Sequence, residues 1–284
     1  MTSMEQRNGP PAAEAALTGR GDTGRPDPKS ARSRPRRHKW VTLVVAAVLS
    51  LALMQLASLQ FPPYIVPGLP TVLATTWELL TQQSGQMFGT LVRFFLAMLA
   101  AMAGGWLIGL VMALQRRLGE LGEAMTRIVL ATPALSITLF VVLWFRDVEI
   151  RVFLVALVIA MPFYVVAVYE GVKSIDHELV EAVRQFRPTR RQMFSMVLLP
   201  HSIADVIMAT KSVAGFTLRI VVFAEAIAAT SGVGYSMSQA QGSFRTDQIF
   251  AWTIILVVFN FLLMAALERA ERVLLRWRPE NAVG

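Results

Sequence analysis

Charged side chains interrupt one of the apolar segments of this sequence. Lys211, Arg219 and Glu225 lie within residues 203–229, and Asp205 adds a fourth charge. A charge at the centre of a membrane-inserted helix costs about 2.5–3.5 kcal/mol, so such side chains should face protein or water. Lys211 and Arg219 could attract an anion, whereas Glu225 is predicted to be a structural or gating residue near the outer end. Alternatively, the side chains of Lys211 and Glu225 could simply snorkel, so that their charges reach the membrane surface.

The sequence offers little for catalysis or metal binding. His38, His177 and His201 are scattered without the spacing of metal ligands. Gly105 and Gly109 stand four residues apart in an apolar setting, which favours close packing of helices over phosphate binding. A nucleophile motif of the type Gly-x-Ser-x-Gly and a nucleotide phosphate loop are both missing from the sequence. We therefore predict no catalytic, cofactor-binding or metal-binding residue in this chain.

The composition indicates a membrane protein. Apolar residues make up 55% of the sequence and charged residues only 16%, and the charges are gathered into islands. A spanning helix needs about 20 mostly apolar residues. Charge-free gaps predict five spans and the charged segment a sixth; in chain order they are 40–60, 94–115, 128–145, 152–169, 203–229 and 248–267. The predicted fold class is an all-α membrane protein, a bundle of about six transmembrane helices.

The distribution of basic residues predicts the orientation of the bundle. Cytoplasmic flanks carry excess Lys and Arg, and most of the 27 basic residues fall in four stretches, 1–39, 115–127, 170–200 and 271–284. Both termini are therefore predicted to be cytoplasmic, and residues 61–87 to form a periplasmic loop with a short interfacial helix near 71–83. Residues 1–39 have the composition of a disordered tail. These membrane-flanking clusters account for the net charge of +8, so the charge does not indicate nucleic-acid binding.

The 170–200 loop differs from the others because its pattern predicts two short helices. Ser174 can cap the first helix, whose first turn carries two acidic residues. Arg187 and Pro188 then break this helix, and Thr189 can begin the second. Two short helices joined by a tight turn would form a protruding knob.

This loop resembles the cytoplasmic loop of the permease subunits of binding-protein-dependent ABC importers, especially the nitrate, sulfonate and taurine group. The family motif is Glu-Ala-Ala, three residues, Gly, nine residues, Ile, one residue and Leu-Pro. The matching positions here are Glu181, Ala182, Val183, Arg187, Val197, Leu199 and Pro200. Flanking segments that also resemble the family, in the same order, are 132–134, 143–145, 171–174 and 231–235. The resemblance extends from about residue 88 to the C terminus.

The resemblance implies a transport core at 88–270 in a bacterial inner membrane, with a coupling helix in the loop at 170–200. This helix would dock into a groove of a cytoplasmic ATPase dimer, and that partner would use the ATP. A periplasmic or lipid-anchored binding protein would deliver a small solute, such as nitrate, a sulfonate or taurine, to outer loops that include 230–247. A homodimer, or a pair of similar permeases, would move the solute by alternating access.

Arg187 departs from the family motif, which has glycine at this position. Glycine supplies a positive φ at the turn between the two short helices, and that conformation is costly for arginine. Either the turn is remade around Pro188, or coupling is specialised in this protein. We expect the remade turn, and we expect transport to survive the return of Arg187 to glycine.

Functions from two other classes stay open at this point. An ion-coupled secondary carrier would need no ATPase, although such carriers usually contain inverted repeats and broken helices. A membrane scaffold or sensor would use the loop for docking alone. Within the loop, Glu181 could simply cap and solvate its helix.

Overall fold

The structure is a computed structural model that describes residues 37–276. The chain divides into two compact units, residues 1–50 and residues 51–284. The described part of the first unit is the beginning of one helix, and the second unit contains the remaining helices. Residues 37–276 contain no strand. Most of the predicted tail at 1–39 and the last part of the predicted tail at 271–284 lie outside the described residues.

Eleven α-helices follow one another along residues 37–276, and a short π-helix at Phe194–Leu198 joins the eighth to the ninth. In chain order they are α1 (Arg37–Ser58), α2 (Leu69–Gln82), α3 (Ser84–Leu114), α4 (Arg116–Ala131), α5 (Ala134–Trp144), α6 (Val148–Lys173), α7 (His177–Gln185), α8 (Arg190–Met193), α9 (Leu199–Ala228), α10 (Val233–Gly242) and α11 (Thr246–Leu274).

The predicted all-α membrane bundle is confirmed. Four continuous helical stretches are long and apolar enough to cross a membrane, and they contain four of the predicted spans; these stretches are Ser84–Leu114, Val148–Lys173, Arg190–Ala228 and Thr246–Leu274. The first predicted span falls on α1, whose described apolar part is Val44–Ser58. With the bent pair α4 and α5 counted as one, the described residues hold up to five spans.

The predicted span at 128–145 is not one continuous helix. α4 ends at Ala131 and α5 begins at Ala134, and the two helices are bent by 93° relative to each other. Pro133 causes the break, because proline lacks a backbone N–H and disfavours the helical conformation in the residue before it. Thr132 is accordingly extended, with φ −75° and ψ 127°.

α3 and α6 approach each other closely where two glycines lie on α3. A Cβ atom on Gly105 would lie 2.5 Å from the Cβ of Tyr164 and 2.9 Å from the carbonyl oxygen of Met161. A Cβ atom on Gly109 would lie 2.7 Å from the carbonyl oxygen of Val165. The predicted role of these glycines in close helix packing is therefore confirmed.

α2 and α10 are held against α11 by a small apolar cluster. Leu79 of α2 and Trp252 of α11 are each 1% exposed, and Val233 at the start of α10 is fully buried in the same cluster. α2 matches the short helix predicted near 71–83. The cluster fixes the position of the loop between α9 and α10, next to the buried side chains of Arg93 and Glu225.

Candidate functional site

Glu225 is fully buried near the end of α9. Its Oε1 accepts a hydrogen bond from Arg93 Nη1 at 2.8 Å, and its Oε2 lies 2.8 Å from the hydroxyl of Thr90. Its Oε2 also accepts from the backbone N–H of Gly234 at 3.0 Å. A buried carboxylate is tolerated when it is paired and hydrogen-bonded, and Glu225 meets both conditions.

Arg93 of α3 is the centre of this network and is 7% exposed. Besides Glu225, it donates to both carboxylate oxygens of Glu149, with Nε 2.7 Å from Oε2 and Nη2 2.5 Å from Oε1. It also donates to the carbonyl oxygen of Ser231 at 3.0 Å and to the Ser231 hydroxyl oxygen at 2.8 Å. The planar guanidinium can bond several oxygens in fixed directions, so one side chain joins α3, α6, α9 and the loop before α10.

The loop before α10 is shaped to approach this carboxylate. Gly232 has φ 106°, a conformation that favours glycine, and a Cβ atom there would collide with the Glu225 carboxylate. The first N–H groups of α10 point at the network: Val233 N donates to the Thr90 hydroxyl oxygen at 2.8 Å, and Gly234 N donates to Glu225. The positive end of a helix favours a nearby anion. This geometry gives a physical reason for the glycine-rich segment 231–235.

Sequence reasoning selected Glu225 but missed Arg93 as its partner. Arg219 and Glu225 stand six residues apart, which places them on different faces of a helix, and the partner of Glu225 lies 132 residues away in sequence. One signal was available: Arg93 lies in a largely apolar stretch of α3, and a charge in such a position needs a partner.

The other two charges selected in this segment have different surroundings. Lys211 lies on α9, and its side chain reaches α11, with Nζ 3.7 Å from Glu268 Oε1 and 3.5 Å from Glu271 Oε2. Arg219 is exposed, and within residues 37–276 it makes no hydrogen bond or ion pair. It lines a cleft between α9, α10 and α11 with a volume of about 590 Å³.

The two short helices predicted in the 170–200 loop are present as α7 and α8. The predicted cap is wrong: Asp176 begins α7 by accepting from the N–H of Glu178 at 2.9 Å. Ser174 instead follows the last residue of α6 and donates its hydroxyl to the carbonyl oxygen of Gly171. An Asp two residues later can compete for the cap because its carboxylate also interacts favourably with the helix dipole.

The start of the second helix is confirmed at Thr189. Gln192 N donates to the Thr189 hydroxyl oxygen at 3.3 Å, and Thr189 N donates to the Gln192 side-chain oxygen at 2.8 Å. These reciprocal bonds form a capping box. Beyond Met193 the chain continues through the π-helix into α9, where Leu199 and Pro200 are the first two residues.

The turn between α7 and α8 keeps the conformation that the family glycine would supply. Arg187 has φ 48°, so our expectation of a turn remade around Pro188 is wrong. Phe186 next to it is 86% exposed. Pro188 still helps to end the first helix, but it does so after a left-handed residue.

The motif residues of α7 face outward to different degrees. Glu181 and Ala182 are exposed and Val183 is half-buried, while Val197 in the π-helix is half-buried. Glu181 makes no hydrogen bond or ion pair with the side chains that the structure describes. Because Asp176 is the cap of α7, capping is not the role of Glu181.

Arg187→Gly should leave this turn intact, whereas Arg187→Val should distort it. A left-handed residue other than glycine costs about 1–2 kcal/mol, and a β-branched residue is a greater outlier. Amide hydrogen exchange across residues 177–198 provides the measurement. We expect protection in the glycine variant to match or exceed that of the wild type, and exchange in the valine variant to rise roughly 5–30-fold. Equal protection in the valine variant would show that the turn does not require a positive φ.

Comparison with known proteins agrees with this arrangement. Residues 101–276, more than half of the chain, match the family described as the binding-protein-dependent transport system inner membrane component. The chain is 26% identical to the putative aliphatic sulfonates transport permease protein SsuC of Bacillus subtilis (strain 168), over 94% of this chain and 97% of that protein. It is 28% identical to the taurine transport system permease protein TauC of Escherichia coli (strain K12), over 86% of this chain and 95% of that protein.

A solved structure shares the fold. The inward-facing MetNI methionine ABC transporter contains a chain that superposes with a TM-score of 0.62 at 18% identity, covering 69% of this chain and 98% of that chain. The apolar helices and the family match describe a multi-pass inner-membrane protein. The chain belongs to the family of inner-membrane components of binding-protein-dependent transport systems.

Proposed function

We propose that this chain is the transmembrane permease subunit of an ATP-driven importer for a small solute, with sulfonates and taurine as the first candidates and nitrate as a further one. The similar proteins named for aliphatic sulfonates and taurine support this substrate class. Transport would follow alternating access by two permease subunits, either identical or a matched pair. The transport core would be residues 88–270, with both termini on the cytoplasmic side.

The observation that carries the proposal is the continuity between the exposed knob and the buried network. Residues 190–228 form one helical stretch of 39 residues. Its first residues belong to the knob, and Glu225 near its other end is bound to Arg93. A partner that moves the knob would therefore act directly on the helix that carries Glu225. This supports a gating role for Glu225, whereas the contacts of Lys211 with two glutamates support a structural role.

The partner that binds the knob would be a cytoplasmic ATPase dimer, and it would use the ATP. This chain has no phosphate loop of its own. The docking surface would consist of the motif positions Glu181, Ala182, Val183, Arg187, Val197, Leu199 and Pro200. The exposed Phe186 at the tip would add an apolar anchor. On the outer side, a solute-binding protein would meet the segment 230–247.

Glu181→Arg should uncouple ATP hydrolysis by the ATPase from solute binding at the permease. The charge reversal places a cation on the exposed face of α7, where an anionic side chain is free to contact a partner. ATPase activity of the assembled importer in liposomes, with binding protein and candidate solutes added, is the measurement. We expect solute-stimulated ATP hydrolysis to fall at least tenfold, about 1.4 kcal/mol or more in coupling.

Glu120→Arg is the matched control because Glu120 is an exposed helical residue of α4, on the same predicted side of the membrane as the knob but outside it. It should retain stimulation. Full stimulation in Glu181→Arg would contradict the docking role of this face. Solute uptake that needs an ion gradient and no ATP would indicate a secondary carrier, and an assembled complex without any flux would indicate a scaffold.

A further inference from the structure

Two cations of α9 differ in how their charges are balanced. Lys211 is accompanied by Glu268 and Glu271 of α11. Arg219, eight residues further along the same helix, has no ion pair or hydrogen bond within residues 37–276. Charged side chains inside a membrane span are rare because they are unfavourable, and an unpaired one marks a functional site by default. Arg219 is therefore the cation whose partner is missing from the described part of the chain.

The surroundings of Arg219 form a binding cleft. The cleft has a volume of about 590 Å³, within the range of small-molecule sites, and Arg219 is its one charged lining residue. Leu218, Phe223, Met237 and Phe261 provide apolar and aromatic walls. An apolar cavity with few polar groups that fix orientation is typical of a ligand site.

One polar atom in the cleft also lacks a partner. The side-chain oxygen of Asn260 is buried and makes no hydrogen bond within the described residues. Asn260 lies on α11 and lines the same cleft as Arg219. A side-chain amide both donates and accepts hydrogen bonds. A sulfonate has no donor for this oxygen, so an anionic head in the cleft would bond the guanidinium of Arg219 and the amide N–H of Asn260.

The depth of Arg219 argues against a lipid headgroup as the ligand. Arg219 lies nine residues before the last residue of α9, which corresponds to roughly 14 Å along the helix. The hydrocarbon core is about 30 Å thick, so this position falls near its middle. A headgroup phosphate stays at the membrane surface, whereas a transported anion passes through the middle.

We propose that this cleft binds the transported solute on its way through the membrane, and that it selects a monoanion with an apolar tail, such as an alkanesulfonate. Arg219 pairs with the anionic head, and the apolar walls hold the tail. The cleft has no acidic lining residue, so the ammonium group of taurine would be desolvated without a counter-charge. Nitrate has no tail to bury. This inference rests on the proposed import of a small solute by this chain.

Thermal unfolding in lipid nanodiscs tests the cleft directly. The permease assembled with its ATPase is heated with butanesulfonate or taurine at equal concentration, without binding protein. A ligand that binds the folded state raises the Tm. We expect butanesulfonate to raise the Tm of the wild type, taurine to raise it less, and Arg219→Gln to lose the rise while Arg219→Lys keeps most of it. Arg116→Gln, on an exposed side chain of α4, should respond like the wild type.

Uptake into liposomes separates this inference from the proposed function. We expect Arg219→Gln to lower butanesulfonate uptake at least tenfold at saturating binding protein. A wild type that takes up no alkanesulfonate, taurine or nitrate would overturn the proposed function itself, and one that takes up taurine or nitrate but no alkanesulfonate would overturn the cleft assignment alone. Equal uptake by wild type and Arg219→Gln, or equal Tm shifts with butanesulfonate and taurine, would overturn the cleft assignment alone. Loss of the permease dimer in Arg219→Gln would assign the cleft to a second copy of the chain. A Tm shift that is caused by phosphatidylglycerol and depends on Arg219 would assign the cleft to a lipid. Either result would also overturn the cleft assignment.

Discussion

Arg93→Met is expected to lower the free energy of unfolding by about 3–5 kcal/mol, because it leaves Glu225 buried without its counter-charge. Glu225 is fully buried, so water cannot replace the guanidinium. The same change removes two hydrogen bonds to Ser231 and loosens the loop before α10. Unfolding in mixed detergent micelles, followed by circular dichroism, is the measurement.

Two further variants show whether the cost comes from the buried charge. Glu149→Gln weakens the other ion pair of Arg93, but the Glu149 side chain is 64% exposed, so we expect a loss below about 1 kcal/mol. The double variant Arg93→Met with Glu225→Leu should recover most of the stability lost in Arg93→Met alone, because no uncompensated charge is left. A double variant less stable than Arg93→Met would contradict this explanation.

Gly105→Ala is expected to destabilise the bundle by about 1–3 kcal/mol, the usual cost of overpacking a well-packed interior. The new methyl group would lie 2.5 Å from the Cβ of Tyr164 and 2.9 Å from a backbone oxygen of Met161. Neither atom is the end of a flexible side chain, so α3 and α6 would have to move apart. The same unfolding measurement in mixed micelles applies.

Gly85→Ala makes the same chemical change in the same helix and serves as the control. A Cβ atom at Gly85 has no neighbour within 4 Å. Alanine is favoured over glycine in a helix by about 0.5–1 kcal/mol, so this variant should be as stable as the wild type or slightly more stable. Equal losses at Gly85 and Gly105 would contradict the explanation that the contact between α3 and α6 causes the effect.

The apolar pattern predicted the membrane helices well. A segment that crosses lipid must satisfy its backbone hydrogen bonds internally, so a long apolar stretch of sequence forms a helix. The same pattern did not give the size of the bend within 128–145. Apolar residues continue through Thr132 and Pro133, and hydropathy alone cannot tell a straight span from two helices at 93°. The proline was the signal for a break, but the size of the bend depends on how α4 and α5 pack against the other helices.

The buried network could be predicted only in part. Glu225 was found because a charge in a span is conspicuous, and residues 231–235 were found by family resemblance. The pairing with Arg93 depends on how α3 and α9 pack, and nothing in local spacing encodes a contact across 132 residues. The left-handed Arg187 was missed for the opposite reason. Local propensity argued against it, yet the surrounding knob imposes the conformation.

The continuous stretch 190–228 has a mechanical consequence. Its 39 residues make a rod about 58 Å long, at 1.5 Å per residue. A tilt of about 5° about the knob end would carry the other end sideways by roughly 5 Å, with every helical hydrogen bond intact. Such a displacement exceeds the reach of the 2.8 Å bond between Arg93 and Glu225. We therefore expect the bond between Arg93 and Glu225 to hold the far end of the rod in place when the knob moves slightly, and to break only when the force on the rod is large enough to separate the two charges.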